Sequence, residues 1–142
     1  MSYIRLEGEN VLLYGEVKPD DEYEYIYVQG VPHIDVPEYQ KLVYKDGHLY
    51  VTTDVEALKS DTLNKLLDTF EERIKQTDNE FLAYQKRKEL GIKNSKDDDD
   101  YNKAMQAYRE ATEWYRSEKD RVSTMNENDL IEYYQKIIKG EA

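Results

Sequence analysis

The stretch that decides the fold is Leu63–Lys88, LNKLLDTFEERIKQTDNEFLAYQKRK, in which apolar side chains fall at Leu63, Leu67, Phe70, Ile74, Phe81 and Tyr84. The steps run 4, 3, 4, 7 and 3, with polar Thr77 at the missing beat, which is the spacing of a long helix carrying a seam close to a heptad. Upstream, Thr52-Thr53-Asp54 and Ser60-Asp61 offer N-caps. Downstream, Gly91 is placed to take the left-handed conformation that ends a helix. A helix from Val55 to Leu90 has about 36 residues and spans about 54 Å at 1.5 Å per residue, so it must project from a domain this small. Leu63, Leu67, Phe70, Ile74 and Phe81 are the candidate contact residues of its seam.

Working outward toward the C-terminus, Lys93–Lys96 is a polar connector, and Asp97–Asp100 places four anions at the positive end of a second helix. That helix carries a wide stripe of Tyr101, Ala104, Met105, Tyr108, Ala111, Tyr115, Val122 and Met125. A connection this short predicts an antiparallel hairpin. The partner of the seam is then either the second helix or another copy of the chain. Trp114 lies to one side of the stripe and is a candidate for an intermolecular contact. Asn126 or Asn128 caps a short third helix over Leu130–Lys139, which is too short to stand alone and must dock.

Toward the N-terminus the periodicity changes from helical to alternating. Ser2–Glu7, Val11–Val17 and Tyr23–Val28 read as strands, separated by Gly8-Glu9-Asn10 and Lys18-Pro19-Asp20-Asp21 turns. In the third strand Tyr23, Tyr25 and Tyr27 share one face. Gly30, Pro32 and Pro37 make the following segment a connector or an edge. Lys41–Asp46 and His48–Thr53 flank Asp46-Gly47, a pair suited to a type I′ hairpin turn. In that register Leu42, Tyr44, Leu49 and Val51 form the inward face. The expected fold class is α+β, with a small antiparallel β region over 1–54 and a helical hairpin plus short third helix over 55–142.

Charge and composition narrow the function classes. Charged residues reach 36% and hydrophobic ones 39%, leaving little apolar surface to bury alone, so part of the seam is expected to meet another chain. Of the net charge of −11, most sits in residues 1–54, where eleven Asp and Glu face four Lys and Arg. An acidic chain of this kind repels nucleic acid and anionic membranes, and neither is an expected partner. No apolar run approaches the roughly 18 residues of a membrane span. The absence of cysteine excludes disulfides, thiolate metal sites and a cysteine nucleophile. Fourteen tyrosines against two Phe and one Trp suit either surfaces that are covered intermittently or plain strand and seam filling.

No pattern names a reaction. His33 and His48, the two histidines, lack a second ligand at metal spacing. A calcium loop opened by Asp97 would need Gly at its sixth position and Glu at its twelfth, where Asn102 and Tyr108 stand. The carboxylates Asp20, Asp21, Glu22 and Glu24 lack the apolar walls that shift a catalytic pKa, and read as a solvated turn on a strand edge. Catalytic, cofactor-binding and metal-binding residues are therefore not expected, and the chain is expected not to be an enzyme.

The segments EYEYIYVQGV at Glu22–Val31 and PEYQKLVYKDGHLYV at Pro37–Val51, with the charged helix after Val55, give an order of parts that resembles small tail-associated proteins of tailed bacteriophages, including fibre, baseplate and assembly components. The resemblance implies a non-enzymatic virion protein acting by oligomerisation and docking on other subunits of an assembly, located in the virion after assembly in the host cytoplasm. Tyr23, Tyr25, Tyr27 and the seam residues would make the contacts. A different class also fits the acidity: an inhibitor that mimics nucleic acid and blocks a host DNA-binding enzyme. A third reading, a cytosolic adaptor encoded on a bacterial chromosome, has the same sequence features as the first.

Overall fold

The computed structural model describes residues 2–140. Five strands come first, β1 (Ser2–Glu7), β2 (Asn10–Leu13), β3 (Ile26–Val28), β4 (Gln40–Lys45) and β5 (His48–Thr53). Three helices follow, α1 (Val55–Glu89), α2 (Ser95–Thr124) and α3 (Glu127–Ile138). The class is α+β, a small antiparallel sheet followed by two long helices and a short one. The chain forms two compact units, one ending at Leu58 and one beginning at Lys59, so the division falls in the first turn of α1 rather than at residue 54.

In the first unit the strand order is β3-β1-β2-β4-β5, antiparallel throughout. Asp46 and Gly47 both have positive φ, 53° and 81°, as a type I′ turn requires, and the β4–β5 register pairs Leu42 with Val51 and Tyr44 with Leu49. Leu42 is buried, whereas Tyr44, Leu49 and Val51 are half-buried. Val43, on the opposite side of the strand, is buried as well, and Ile4, Val36 and Leu58 complete the buried apolar set of this unit.

The second expected strand stops early, at Leu13 instead of Val17. The Tyr3 carbonyl accepts from the Tyr14 N–H (3.0 Å) while the Tyr3 N–H donates to the Gly15 carbonyl (3.2 Å), so two residues oppose one and the ladder ends in a bulge. The topology also shortens the tyrosine strand. Both β2 and β3 pair antiparallel with β1 and flank it, so they run the same way, and the chain between them must cross the sheet to start β3 at the correct end. Residues 14–25 make that crossing, and only Ile26–Val28 remain as strand. Beyond β3, the connector is fastened by Gln40: its Oε1 accepts from the N–H groups of Asp35 (2.9 Å) and Val36 (3.0 Å), and its Nε2 donates to Thr53 Oγ1 (3.2 Å).

In α1, Asp54 is the N-cap, its carboxylate accepting from the Ala57 N–H (3.1 Å). At the other end Gly91 (φ 68°) donates to the Lys88 carbonyl and Ile92 to that of Arg87, the paired bonds of a Schellman stop. Asn94 then caps α2 in a capping box with Asp97, each side chain accepting the other residue's backbone N–H. Thus Asp97 does not open a cation loop; it is 6% exposed, and its carboxylate is bridged by Arg87 at 2.6 Å. The Asn94 backbone N–H is the main cause that holds its pKa below the ordinary carboxylate value, with Arg87 acting the same way.

The helices α1 and α2 pack antiparallel on each other. Phe70 stacks on Tyr115 (4.8 Å between ring centroids), Phe81 meets Tyr101 and Tyr108 (5.4 and 6.0 Å), and Tyr84 packs tilted against Tyr101 (4.4 Å). At the end away from the turn, Lys59 Nζ donates to the Ser123 carbonyl at 3.0 Å. The seam is rotated from the one expected. Leu67 is 37% exposed, while Leu66 and Thr62 are fully buried, and Thr77 is buried at 5% exposure. Thr77 is no gap: its hydroxyl donates to the Ile74 carbonyl, which satisfies it inside the seam. The inward stripe of Thr62, Leu66, Phe70, Ile74, Thr77, Phe81 and Tyr84 covers 22 positions in six steps, about 3.7 per step, nearer an eleven-residue than a seven-residue repeat. The regular heptad lies on α2, where Asp97, Tyr101, Ala104, Tyr108, Ala111, Tyr115, Glu118 and Val122 alternate steps of four and three.

The third helix begins earlier than expected, at Glu127, because Asn126 is the cap that accepts the Asp129 N–H (2.9 Å). Its buried side, Leu130, Ile131, Tyr133, Tyr134 and Ile137, supplies the docking that so short a helix needs.

Candidate functional site

The candidate site is one face of the sheet. Side chains alternate along β1, so Tyr3, Arg5 and Glu7 share a side, and the register adds Tyr27 opposite Tyr3 and Leu12 opposite Arg5. The Tyr3 and Tyr27 rings lie 4.9 Å apart. The crossing segment brings more aromatics to the same side: Tyr23 covers the Arg5 guanidinium at 4.0 Å, and Tyr25 meets Tyr14 edge to face at 5.0 Å. Arg5 also lies 5.9 Å from the Tyr14 ring and pairs with Glu7 at 3.1 Å.

Asp21 shapes the crossing. Its carboxylate accepts from the Tyr23 N–H (3.0 Å) and from the Tyr25 hydroxyl, the first an Asx-type turn and the second a short charge-assisted bond. Burial, followed by this bond, pushes the Tyr25 pKa up to about 12. The acidic turn is therefore used locally to lay two tyrosines onto the sheet.

The three tyrosines singled out by their spacing thus reach one surface, by a different route from the expected strand. Tyr23 and Tyr27 are each half exposed, at 50%, and Tyr25 is more covered. Tyr3, Tyr14 and above all Arg5 belong to the same cluster and were missed. The available signal was the Tyr3-Ile4-Arg5 alternation, which puts a cation on the aromatic side. Rings with a polar tip, half exposed and packed around an arginine, are the chemistry found at the centre of protein interfaces.

The helical residues fall elsewhere. Phe70 and Phe81 are spent inside the hairpin, Leu63 and Ile74 are half-buried on α1, and Leu67 is turned outward. Trp114 packs within its own unit: the Arg73 guanidinium lies 3.5 Å over its ring. At the hairpin turn, Asp98 accepts from the Tyr84 hydroxyl (2.8 Å) and from Lys93 through both oxygens (2.9 Å each). These bonds lower the Asp98 pKa, Lys93 first, and raise those of Tyr84 and Lys93.

A groove of about 540 Å³ runs between the end of α2 and α3, with Arg121, Asp129, Glu132 and Lys136 on its walls. Its cations are engaged, Arg121 by both oxygens of Glu118 and Lys136 by Glu132. The Tyr133 hydroxyl beside it is buried, and burial, followed by the neighbouring Glu118 carboxylate, drives its pKa upward.

His33 is 85% exposed beside Asp35, and His48 is exposed next to the β4–β5 turn. Among the described residues no group of three His, Cys, Asp or Glu side chains converges as metal ligands would, and no helix is long and apolar enough to cross a membrane. The chain matches no known protein family, and neither a curated protein nor a solved structure matches it.

Proposed function

We propose that this chain is a non-enzymatic assembly protein whose sheet docks on other protein subunits, copies of itself among them, through the tyrosine face. The single observation that carries the reading is the tyrosine face of the sheet, where Tyr23, half exposed, covers the Arg5 guanidinium at 4.0 Å and Tyr27, equally exposed, packs on Tyr3 at 4.9 Å. Tyrosine and arginine are the residues that most often anchor protein interfaces, because each buries a large rigid area while keeping a polar group satisfied. The aromatic pairs between α1 and α2 support a self-contained spacer role for the helical hairpin. The setting we assign is the tail of a bacteriophage virion, on the strength of the sequence resemblance.

The test of docking is the mass of the full chain in solution, with and without Tyr23→Ser and Tyr27→Ser. Self-association that disappears in the double variant, with the circular dichroism unchanged, supports the reading. Association that survives it removes the tyrosine face from the account. The setting is tested by the genes that flank this one in its source genome; flanking tail or capsid genes support it, and metabolic or regulatory neighbours overturn it.

A further inference from the structure

The sheet has two edges, β3 and β5, and they differ in how well they are protected. Natural edges are blunted by shortness, proline, bulges or charge, because an open ladder recruits other strands. The β3 edge is three residues long and is followed by a connector with two prolines. By contrast β5, HLYVTT, has six residues with no proline and no Asp, Glu, Lys or Arg, in a chain where charged residues reach 36%.

The register states which backbone groups are open. With Lys45 and His48 closing a two-residue type I′ turn, His48, Tyr50 and Thr52 turn their N–H and C=O groups toward β4, and Leu49, Val51 and Thr53 turn theirs away from it. The Asp54 N–H, which donates to the Tyr39 carbonyl at 2.7 Å, continues the inward alternation.

Beside the turn end of this edge is a groove of about 330 Å³ with Tyr44, His48 and Leu49 on the hairpin side and Ile26, Tyr27 and Val28 on the β3 side. No Asp, Glu, Lys or Arg lines it. Because β3 and β5 run the same way, a segment laid antiparallel along β5 is also antiparallel to β3, and the uncharged walls receive its alternate side chains.

We infer that the β5 edge is a strand-addition site for an extended, uncharged segment of another protein, apolar at alternate positions, which pairs with Leu49 and Val51 and lays its apolar side chains in this groove. Backbone pairing gives the affinity and the groove selects the side chains. The inference rests on the reading of the chain as a docking protein and deepens it. It shares Tyr27 with the tyrosine face but not Tyr23, Tyr14 or Arg5, so the two can fail separately.

The test uses the full chain and a fluorescein-labelled hexapeptide, Thr-Val-Thr-Val-Thr-Val, in three forms: unmodified, and N-methylated at either alternate set of residues. The expected result is saturable polarisation with the unmodified peptide, loss of binding with at least one methylated form, and slowed exchange of the Leu49 and Val51 amides in the complex. Exchanging the valines for aspartate weakens binding at least about tenfold, since the groove offers no cation and buried apolar contact is lost. Absence of binding, indifference to both methylation sets, or protection confined to the helices overturns the inference. So does a chain that dimerises alone and already protects Leu49 and Val51, because a second copy then fills the edge. Peptide binding that survives Tyr23→Ser, a residue outside the groove, separates this edge from the tyrosine face; binding that this change abolishes places the peptide on the tyrosine face and overturns the edge.

Discussion

Two adjacent leucines on α1 should differ sharply when truncated. Leu66 is fully buried in the hairpin seam, and Leu67 is 37% exposed. Leu66→Ala removes three buried carbons, about 2.4 kcal/mol of transfer free energy at about 0.8 kcal/mol each. The cavity left against α2 adds to this, because aromatic neighbours such as the stacked Phe70 and Tyr115 relax little, which places the expected loss at about 3–5 kcal/mol. Leu67→Ala removes the same atoms from a side chain already partly in water, with room to collapse, and should cost about 1 kcal/mol or less. Urea unfolding followed by the fluorescence of Trp114 reports the helical unit alone, because that residue is the only tryptophan and lies within it. An equal cost for the two variants, or a larger one for Leu67→Ala, would refute the rotated seam and restore the heptad with Leu63 and Leu67 at its centre.

Further outcomes follow from the caps and the titrating groups. Gly91 has φ 68° and open space around the position a Cβ would occupy, so Gly91→Ala should destabilise the hairpin by about 1 kcal/mol through backbone strain alone, read from the same unfolding curves. The folded pKa values of Asp97 and Asp98 lie below 3.8, so their stabilising effect is complete above that pH and is lost as pH falls through the lower folded values. Acid unfolding of the hairpin should therefore begin below about pH 4 and move to higher pH in Arg87→Gln, which leaves Asp97 without its ion pair. Tyr25 is the opposite case: its folded pKa of about 12 exceeds the ordinary 10, so its contribution is complete below pH 10 and disappears as pH rises through 12. Ultraviolet difference titration should show that late tyrosine, and Asp21→Asn should move it down.

Much of the architecture was readable because local and tertiary demands agree. The Asp46-Gly47 pair needs two positive φ angles wherever the hairpin sits, and Asp54 and Gly91 bound α1 through backbone bonds that do not depend on packing. The seam was misplaced because leucines stand at 63, 66 and 67, and hydrophobicity alone cannot choose among them. The deciding residues, Thr62, Thr77 and Asp97, are polar and still buried. Thr77 is satisfied by the Ile74 carbonyl and Asp97 by Asn94 and Arg87, partnerships that no hydropathy pattern reveals. The tyrosine segment alternates as a strand should, but its place between β2 and β3 requires a crossing, a constraint set by strand order and invisible within the segment. Of the candidate site, the tyrosines were legible through their number and spacing. Arg5, which organises them, was not, because its role depends on contacts from residues 14 to 25.

Sedimentation equilibrium of the full chain over the micromolar range, beside the Tyr23→Ser, Tyr27→Ser double variant, tests the docking account most directly. The expected result is a wild-type mass that rises above the 16.9 kDa monomer with concentration, and a folded double variant that stays at 16.9 kDa. A wild-type chain that remains monomeric throughout, or a double variant that associates as strongly as the wild type, contradicts self-association through the tyrosine face.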